Sequence, residues 1–297
     1  MQKLLFFAAM LPFLGQPLLA QAPFFSYNLY RYNPAAAATN SEWAANLEYS
    51  AQWAGIPGYT KLSDLNVQKR FAKYHSAIGA HAYTNVQGEG NLFKADYNLS
   101  YSYQWKMSQK ENSPTLAFGL QSGFSKHIAG FYGLYGYSQQ VISGMSLNTG
   151  IHFYLPNEKF YAGFSVSDII QRRASIDYEP VPFFPTSYQF MSGYRFGLGK
   201  KLFLQPNMLV KLNSEYNDFC TNVQLQHKKW EAGLSYGTSH PYIPYDYTQQ
   251  SALGFNAGVC IKKRFYIRYL YNYTLSPLNN SISQGSHSLM LSYRSIR

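Results

Sequence analysis

From Ala95 to Met107 every second residue is apolar or aromatic: Ala95, Tyr97, Leu99, Tyr101, Tyr103, Trp105 and Met107. The residues between them are Asp96, Asn98, Ser100, Ser102, Gln104 and Lys106. A period of two places these sets on opposite faces of a β-strand, one apolar and one polar. The pattern recurs along the chain. Trp43, Ala45, Leu47, Tyr49, Ala51 and Trp53 oppose Ala44, Asn46, Glu48, Ser50 and Gln52; Leu253, Phe255, Ala257, Val259 and Ile261 oppose Gly254, Asn256 and Lys262. Placing strands on these runs predicts fourteen: 43–53, 60–72, 75–86, 94–107, 114–126, 143–155, 160–169, 187–199, 201–213, 218–228, 229–239, 251–262, 264–275 and 284–294. No amphipathic helix, linker or tandem repeat interrupts the series.

Most of these strands are longer than the usual five or six residues, and their apolar faces are rich in tyrosine. An even number of long, two-faced strands with aromatic-rich ends is the pattern of a transmembrane β-barrel. Lipid meets the apolar face, and closure pairs every backbone group, as a bilayer requires. A soluble sandwich or propeller would use shorter strands and aliphatic inner faces. Composition agrees. The 297 residues include 28 tyrosines and only 13% charged residues, about half the usual share.

The connections orient the barrel. One side has short turns ("AKYHS", "PNEK", "LGKK", "QHKKW", "IKKRF" and a longer "MSQKENSP"). The other has long connections at 127–142, 170–186, 240–250 and 276–283, beside short ones near 54–59 and 87–93. Short turns face the periplasm and long loops the exterior.

Lys3, an apolar run from Leu4 to Leu14 and Leu18-Leu19-Ala20 read as a secretory signal cleaved after residue 20. The chain then divides into a signal at 1–20, a segment at 21–42 without alternation, and a barrel at 43–297. The second segment contains "NPAAAATN" and belongs either in the periplasm or in the lumen as a plug. Loss of residues 1–20 lowers the net charge from +11 to +10. An exported basic chain does not meet nucleic acid, so lipid head groups, an anionic polymer or an acidic protein are the expected partners. Cys220 and Cys260 face inward near opposite rims, too far apart to bridge.

No metal, phosphate or nucleophile motif is present, and no cofactor or enzymatic activity is expected. Inward His152, or His287 in "GSHS", would be the histidines for a rim-site lipid enzyme, but each reads better as structural. The basic short turns carry Lys200, Lys201, Lys228, Lys229, Lys262, Lys263 and Arg264. They suit either membrane phosphates or an acidic periplasmic partner. Two outer loops, "QRRASIDYEPVPFFPTSY" and "SHPYIPYDYTQQ", combine proline with aromatics. Their Arg172, Arg173, Tyr178, Phe183, Phe184, Tyr242, Tyr245 and Tyr247 are candidate protein contacts. Inward Lys106, Arg195, Lys211, Arg264 and Arg268 would instead favour anions in an open channel.

Several stretches, in order, resemble the PorP/SprF family of Bacteroidetes outer-membrane proteins. They are "YNLYRYNPAAAA" with Asn33 and Pro34, "QWAGIPG" with Trp53, Gly55 and Gly58, and "NTGIHFYLPNEKFYAGFSV" with Gly163 and Ser165. "LFLQPNMLVKL", "WEAGLSYG" and "YNYTLSPLNNSISQGSHSLMLSY" with Gly285 and His287 complete the set. The chain departs from the pattern at Ala35–Ala38, where a Gly is usual, at Ser288 and at Arg297. The resemblance implies a multi-pass outer-membrane component of type IX secretion. It implies a periplasmic OmpA-like or ring-forming partner and a large secreted surface protein, such as a gliding adhesin. The alternative is an anion-favouring porin.

Overall fold

The computed structural model describes residues 24–39, 41–88, 92–110, 113–133, 136–156, 159–170, 173–176, 179–182, 185–214, 216–241, 250–275 and 283–295. The wall strands in chain order are β1 (Trp43–Gln52), β2 (Thr60–Phe71), β3 (Ser76–Gln87), β4 (Leu92–Lys106), β5 (Thr115–Gly133), β6 (Gly136–Tyr154) and β7 (Phe160–Ser167). A small separate hairpin follows, β8 (Arg173–Ile176) with β9 (Glu179–Pro182). The wall continues with β10 (Ser187–Tyr194), β11 (Phe196–Gly197), β12 (Leu202–Leu212), β13 (Tyr216–His227), β14 (Trp230–Pro241), β15 (Gln250–Ile261), β16 (Phe265–Thr274) and β17 (Ser286–Arg294). β10 and β11 are halves of one strand broken at Arg195, and both pair with β12. Fourteen antiparallel staves therefore form the wall, and β1 pairs with β17 to close it.

The alternation explains the two faces. Along β4, Tyr97, Leu99, Tyr101, Tyr103 and Trp105 are exposed outward, whereas Asn98, Ser100, Ser102 and Gln104 are buried within. The same inversion holds around the wall: exposed Leu47, Leu65, Phe255 and Leu291 lie outside, and buried Asn46, Asn66, Asn222 and Gln224 inside. A sheet with its apolar side out has no soluble counterpart; lipid must cover it.

Two predicted features change. The expected loop at 127–142 is strand almost throughout. β5 and β6 run on to Gly133 and Gly136, nineteen residues each, joined by a two-residue connection. The strand expected as continuous over 187–199 is interrupted at Arg195, whose guanidinium sits 4.0 Å from the Phe203 ring centroid.

β1 begins and β17 ends on the rim that bears the turns at 72–75, 107–114, 155–159, 198–201, 228–229 and 262–264. By turn length this is the periplasmic rim. Cys220 lies near the outer end of β13 and Cys260 near the periplasmic end of β15, and the two form no disulfide with each other.

Candidate functional site: the plugged lumen and its two rims

Residues 24–39 occupy the lumen. Short 3₁₀ turns at Phe25–Tyr27, Leu29–Arg31 and Pro34–Ala36 fold the segment. Asn33 caps the last of these: its side-chain oxygen accepts from the Ala35 N–H at 2.9 Å, and Pro34 follows with no N–H to satisfy. A segment without periodicity has too few backbone bonds of its own, so the wall supplies them. Ser102 donates to the Ala35 carbonyl, Gln104 to the Ala37 carbonyl and Ser165 to the Tyr32 carbonyl, while the Ala38 N–H donates to Gln68.

The side chains reach in several directions. Asn33 donates to the carbonyls of Ile151 on β6 and Phe164 on β7. Tyr27 donates to Asn256 on β15 at 2.9 Å, and its carbonyl accepts from Arg294 on β17. Ser26 accepts from Asn222 and Gln224 on β13. Tyr30 shares a 2.8 Å hydrogen bond with Ser100 on β4. Burial pushes the phenol groups of Tyr27, Tyr30 and Tyr32 above their ordinary pKa, so these hydroxyls stay neutral.

One plug residue carries the charge of the contact. Arg31 lies 3.3 Å from Glu48 on β1 and 3.4 Å from Asp64 on β2. Asp64 also meets His81 on β3 at 2.7 Å. Both carboxylates are almost fully buried. A second ion pair, Arg268 with Glu231, stacks its guanidinium 4.4 Å from the ring centroid of Tyr27.

The wall is shaped for the plug by absence of side chains. A Cβ on Gly119 would overlap the backbone of Pro34 and Ala35, and one on Gly150 would overlap the Asn33 amide. Gly163 faces Asn33 and His152 in the same way. Thus Asn33, Pro34, Gly163 and Ser165, distant in sequence, form one docking surface. His152 is fully buried beside Tyr154 and Tyr161, behind Gly163. That position gives it no access to a lipid substrate.

A second group of motif residues meets at the outer end of the β1–β17 seam. The Trp53 backbone N–H donates to the Ser286 hydroxyl, Ala54 N–H to the Gly285 carbonyl, and Gln284 N–H to the Ala54 carbonyl. Gly55, Gly58 and Gly285 adopt positive φ of 90°, 73° and 85°, which suits glycine in so tight a crossing. His287 meets Tyr269 on the outer face at 2.6 Å.

Above the plug, on the outer side, lies a polar cavity of about 300 Å³, lined among others by Arg31, Tyr83, Lys94, Asp96, Asp168 and Lys211. Lys94 and Asp96 pair at 3.3 Å. Toward the periplasm a space of about 50 Å³ remains beside Ser26, Ala36 and Arg294. Among the described residues, no group of three His, Cys, Asp or Glu is placed to hold a metal.

The basic residues Lys200, Lys201, Lys228, Lys229, Lys262, Lys263 and Arg264 are all exposed, and all sit in turns of the periplasmic rim. Of the aromatic outer-loop candidates, Arg172, Tyr178, Phe183, Phe184, Tyr242, Tyr245 and Tyr247 lie outside the described residues, and of Arg173 only the backbone, in β8, is described. Sequence reasoning missed Arg31, Glu48, Asp64 and His81 as a group. Glu48 figured there only as one member of the polar face of its strand; the partner of Glu48 and Asp64 lies in a segment with no period.

The wall is similar to solved outer-membrane channels. The CymD monoaromatic hydrocarbon channel aligns at a TM-score of 0.59 and 10% identity, covering 91% of this chain and 93% of that one. The Ralstonia pickettii toluene transporter TbuX gives 0.53 and 10%, covering 90% and 93%. The Pseudomonas putida toluene transporter TodX gives 0.51 and 10%, covering 93% and 96%. At such identity the likeness shows the fold alone. No curated protein matches the chain. Residues 16–293 match the family described as type IX secretion system membrane protein PorP/SprF. The chain belongs to the PorP/SprF family and is a multi-pass β-barrel of the outer membrane.

Proposed function

We propose that this barrel is a non-conducting platform of type IX secretion, which helps export or anchor a large cell-surface protein, such as a gliding adhesin. The observation that carries this reading is the plug. A segment fixed by hydrogen bonds and ion pairs to strands around the lumen obstructs the path of a pore and braces a rigid platform. The inner rim offers exposed cations for an acidic periplasmic partner of the OmpA-like or ring-forming kind. The outer rim offers a tall β5–β6 hairpin. β7 pairs only with Thr149–Tyr154 of β6, so residues 136–146 have no strand on that side among the described residues. An open edge above the membrane supports strand addition from a partner. The aromatic outer loops would add side-chain anchors. No catalytic role is assigned.

The test is a mild-detergent pull-down of tagged protein from its own outer membrane, beside a variant with the seven basic rim residues changed to Gln. Wild type should retain a periplasmic and a surface protein. The variant should lose the periplasmic one and keep its heat-modifiable, folded mobility. Recovery of the barrel alone from wild type, or equal recovery of the periplasmic protein with the variant, overturns this reading.

A further inference from the structure

We propose that a groove on the lipid-facing wall, at the periplasmic end of the β1–β17 seam, holds one anionic phospholipid of the adjoining leaflet. The groove has a volume of about 470 Å³, and its walls include Leu47, Leu65, Phe265, Leu291 and Tyr293. Ala45 makes it. Along one row of the sheet, register brings Val67, Ala45, Tyr293, Phe265 and Ile261 side by side. Four of these are bulky and one is a methyl group, so the wall is dented at Ala45.

Depth determines the occupant. Trp43 precedes Ala45 at the start of β1, and Trp230 starts β14 on the same rim. Tryptophans mark the interface; Trp43 lies on the rim side of Ala45, and the row of Trp230 runs through Val259 to Ile267 and Leu291 of the groove, so the groove spans the interfacial level and the hydrocarbon next to it. A water-soluble partner does not enter that layer; an acyl chain does. The chemistry at its mouth selects the head group. The turn joining β15 and β16, next to Ile261 and Phe265, presents Lys262, Lys263 and Arg264.

This turn is costly as built. The Arg264 N–H donates to the Ile261 carbonyl at 3.1 Å, and both residues between them have positive φ, 50° at Lys262 and 61° at Lys263. Such a turn is ordinarily made by Asn-Gly, and side chains larger than glycine pay for the left-handed conformation. Two lysines held there place two ammonium groups at the level of lipid phosphates, where each is attracted to anionic head groups. An apolar dent for a chain and a cationic turn at its mouth match one amphipathic, negatively charged ligand.

The experiment is native mass spectrometry of the purified barrel with phosphatidylglycerol or phosphatidylethanolamine added at equal concentration. Three cations near the head group support a preference for phosphatidylglycerol of at least about tenfold. A45F, which fills the dent, and the triple variant K262Q, K263Q, R264Q should each lower that preference to near unity. Heat-modifiable gel mobility confirms that both variants are folded. Equal retention of the two lipids by wild type overturns the proposal. An undiminished preference in A45F also overturns it, because surface charge without the groove then explains the binding. Loss of a co-purifying protein in A45F with lipid binding unchanged would assign the groove to that protein. The lipid readouts do not depend on the secretion role.

Discussion

At single residues, the decisive contacts are those a period cannot announce. Gly119 alternates correctly with Leu120 as an inward position, yet only the folded plug shows why it has no side chain. Its neighbour is backbone, the carbonyl carbon of Pro34 and the nitrogen of Ala35, which cannot rotate away. Gly119→Ala should therefore cost about 1–3 kcal/mol of plug docking by overpacking, with the wall intact. Limited proteolysis in detergent reads this: residues 24–39 should become cleavable while the heat-modifiable barrel persists. An uncut plug in the variant would mean that the wall yields instead. Arg31 works by charge. Its removal leaves Glu48 buried without a cation and Asp64 with His81 alone, a loss of up to about 3–5 kcal/mol where a buried pair is broken. Arg31→Ala should thus free the plug more completely than Gly119→Ala in the same assay.

At the scale of elements, the wall was legible because lipid outside and polar atoms inside force a strict period of two. The short turns at 198–201, 228–229 and 262–264 fell where the pattern lapses into lysines. The β5–β6 extension was not legible. Its sequence, "HIAGFYGLYGYSQQVI", is rich in glycine and aromatics and loses the polar-apolar alternation. Above the membrane there is no lipid to impose that alternation, so glycine signals a loop although the backbone pairs through to Gly133 and Gly136. The plug was equally hidden: its hydrogen bonds are to the wall, and contacts more than a hundred residues apart leave no local period. The extension has its own prediction. Replacing residues 127–142 by a two-residue Asn-Gly turn should leave the barrel folded, since lipid-facing pairs up to Phe124 with Met145 remain. It should abolish co-purification of the surface protein if the open edge of β6 is where that protein adds a strand. Undiminished recovery would move the outer contact to the aromatic loops.

For the whole molecule, the question is whether the lumen transmits solute or load. Fourteen strands enclose room for a narrow channel, and the outer cavity of about 300 Å³ carries both signs of charge. What separates it from the periplasm is a segment of a few turns, held by polar contacts to β1, β2, β4, β6, β7, β13, β15 and β17. Each contact is worth about 1 kcal/mol net, and the ion pairs more. Together they make thermal opening rare compared with a lone loop folded over a mouth. Planar-bilayer recording of the wild-type barrel should therefore give no steady conductance, and deletion of residues 24–39 should give stable open levels. Arg31→Ala should fall between, with brief openings, because the remaining hydrogen bonds recapture the plug. Wild-type current equal to that of the deletion variant would place the barrier elsewhere and favour the porin. A silent deletion variant would mean that the inward side chains of the wall close the lumen unaided, leaving the plug as a brace. In that case Arg31→Ala should lower the unfolding temperature of the barrel while conductance stays at zero.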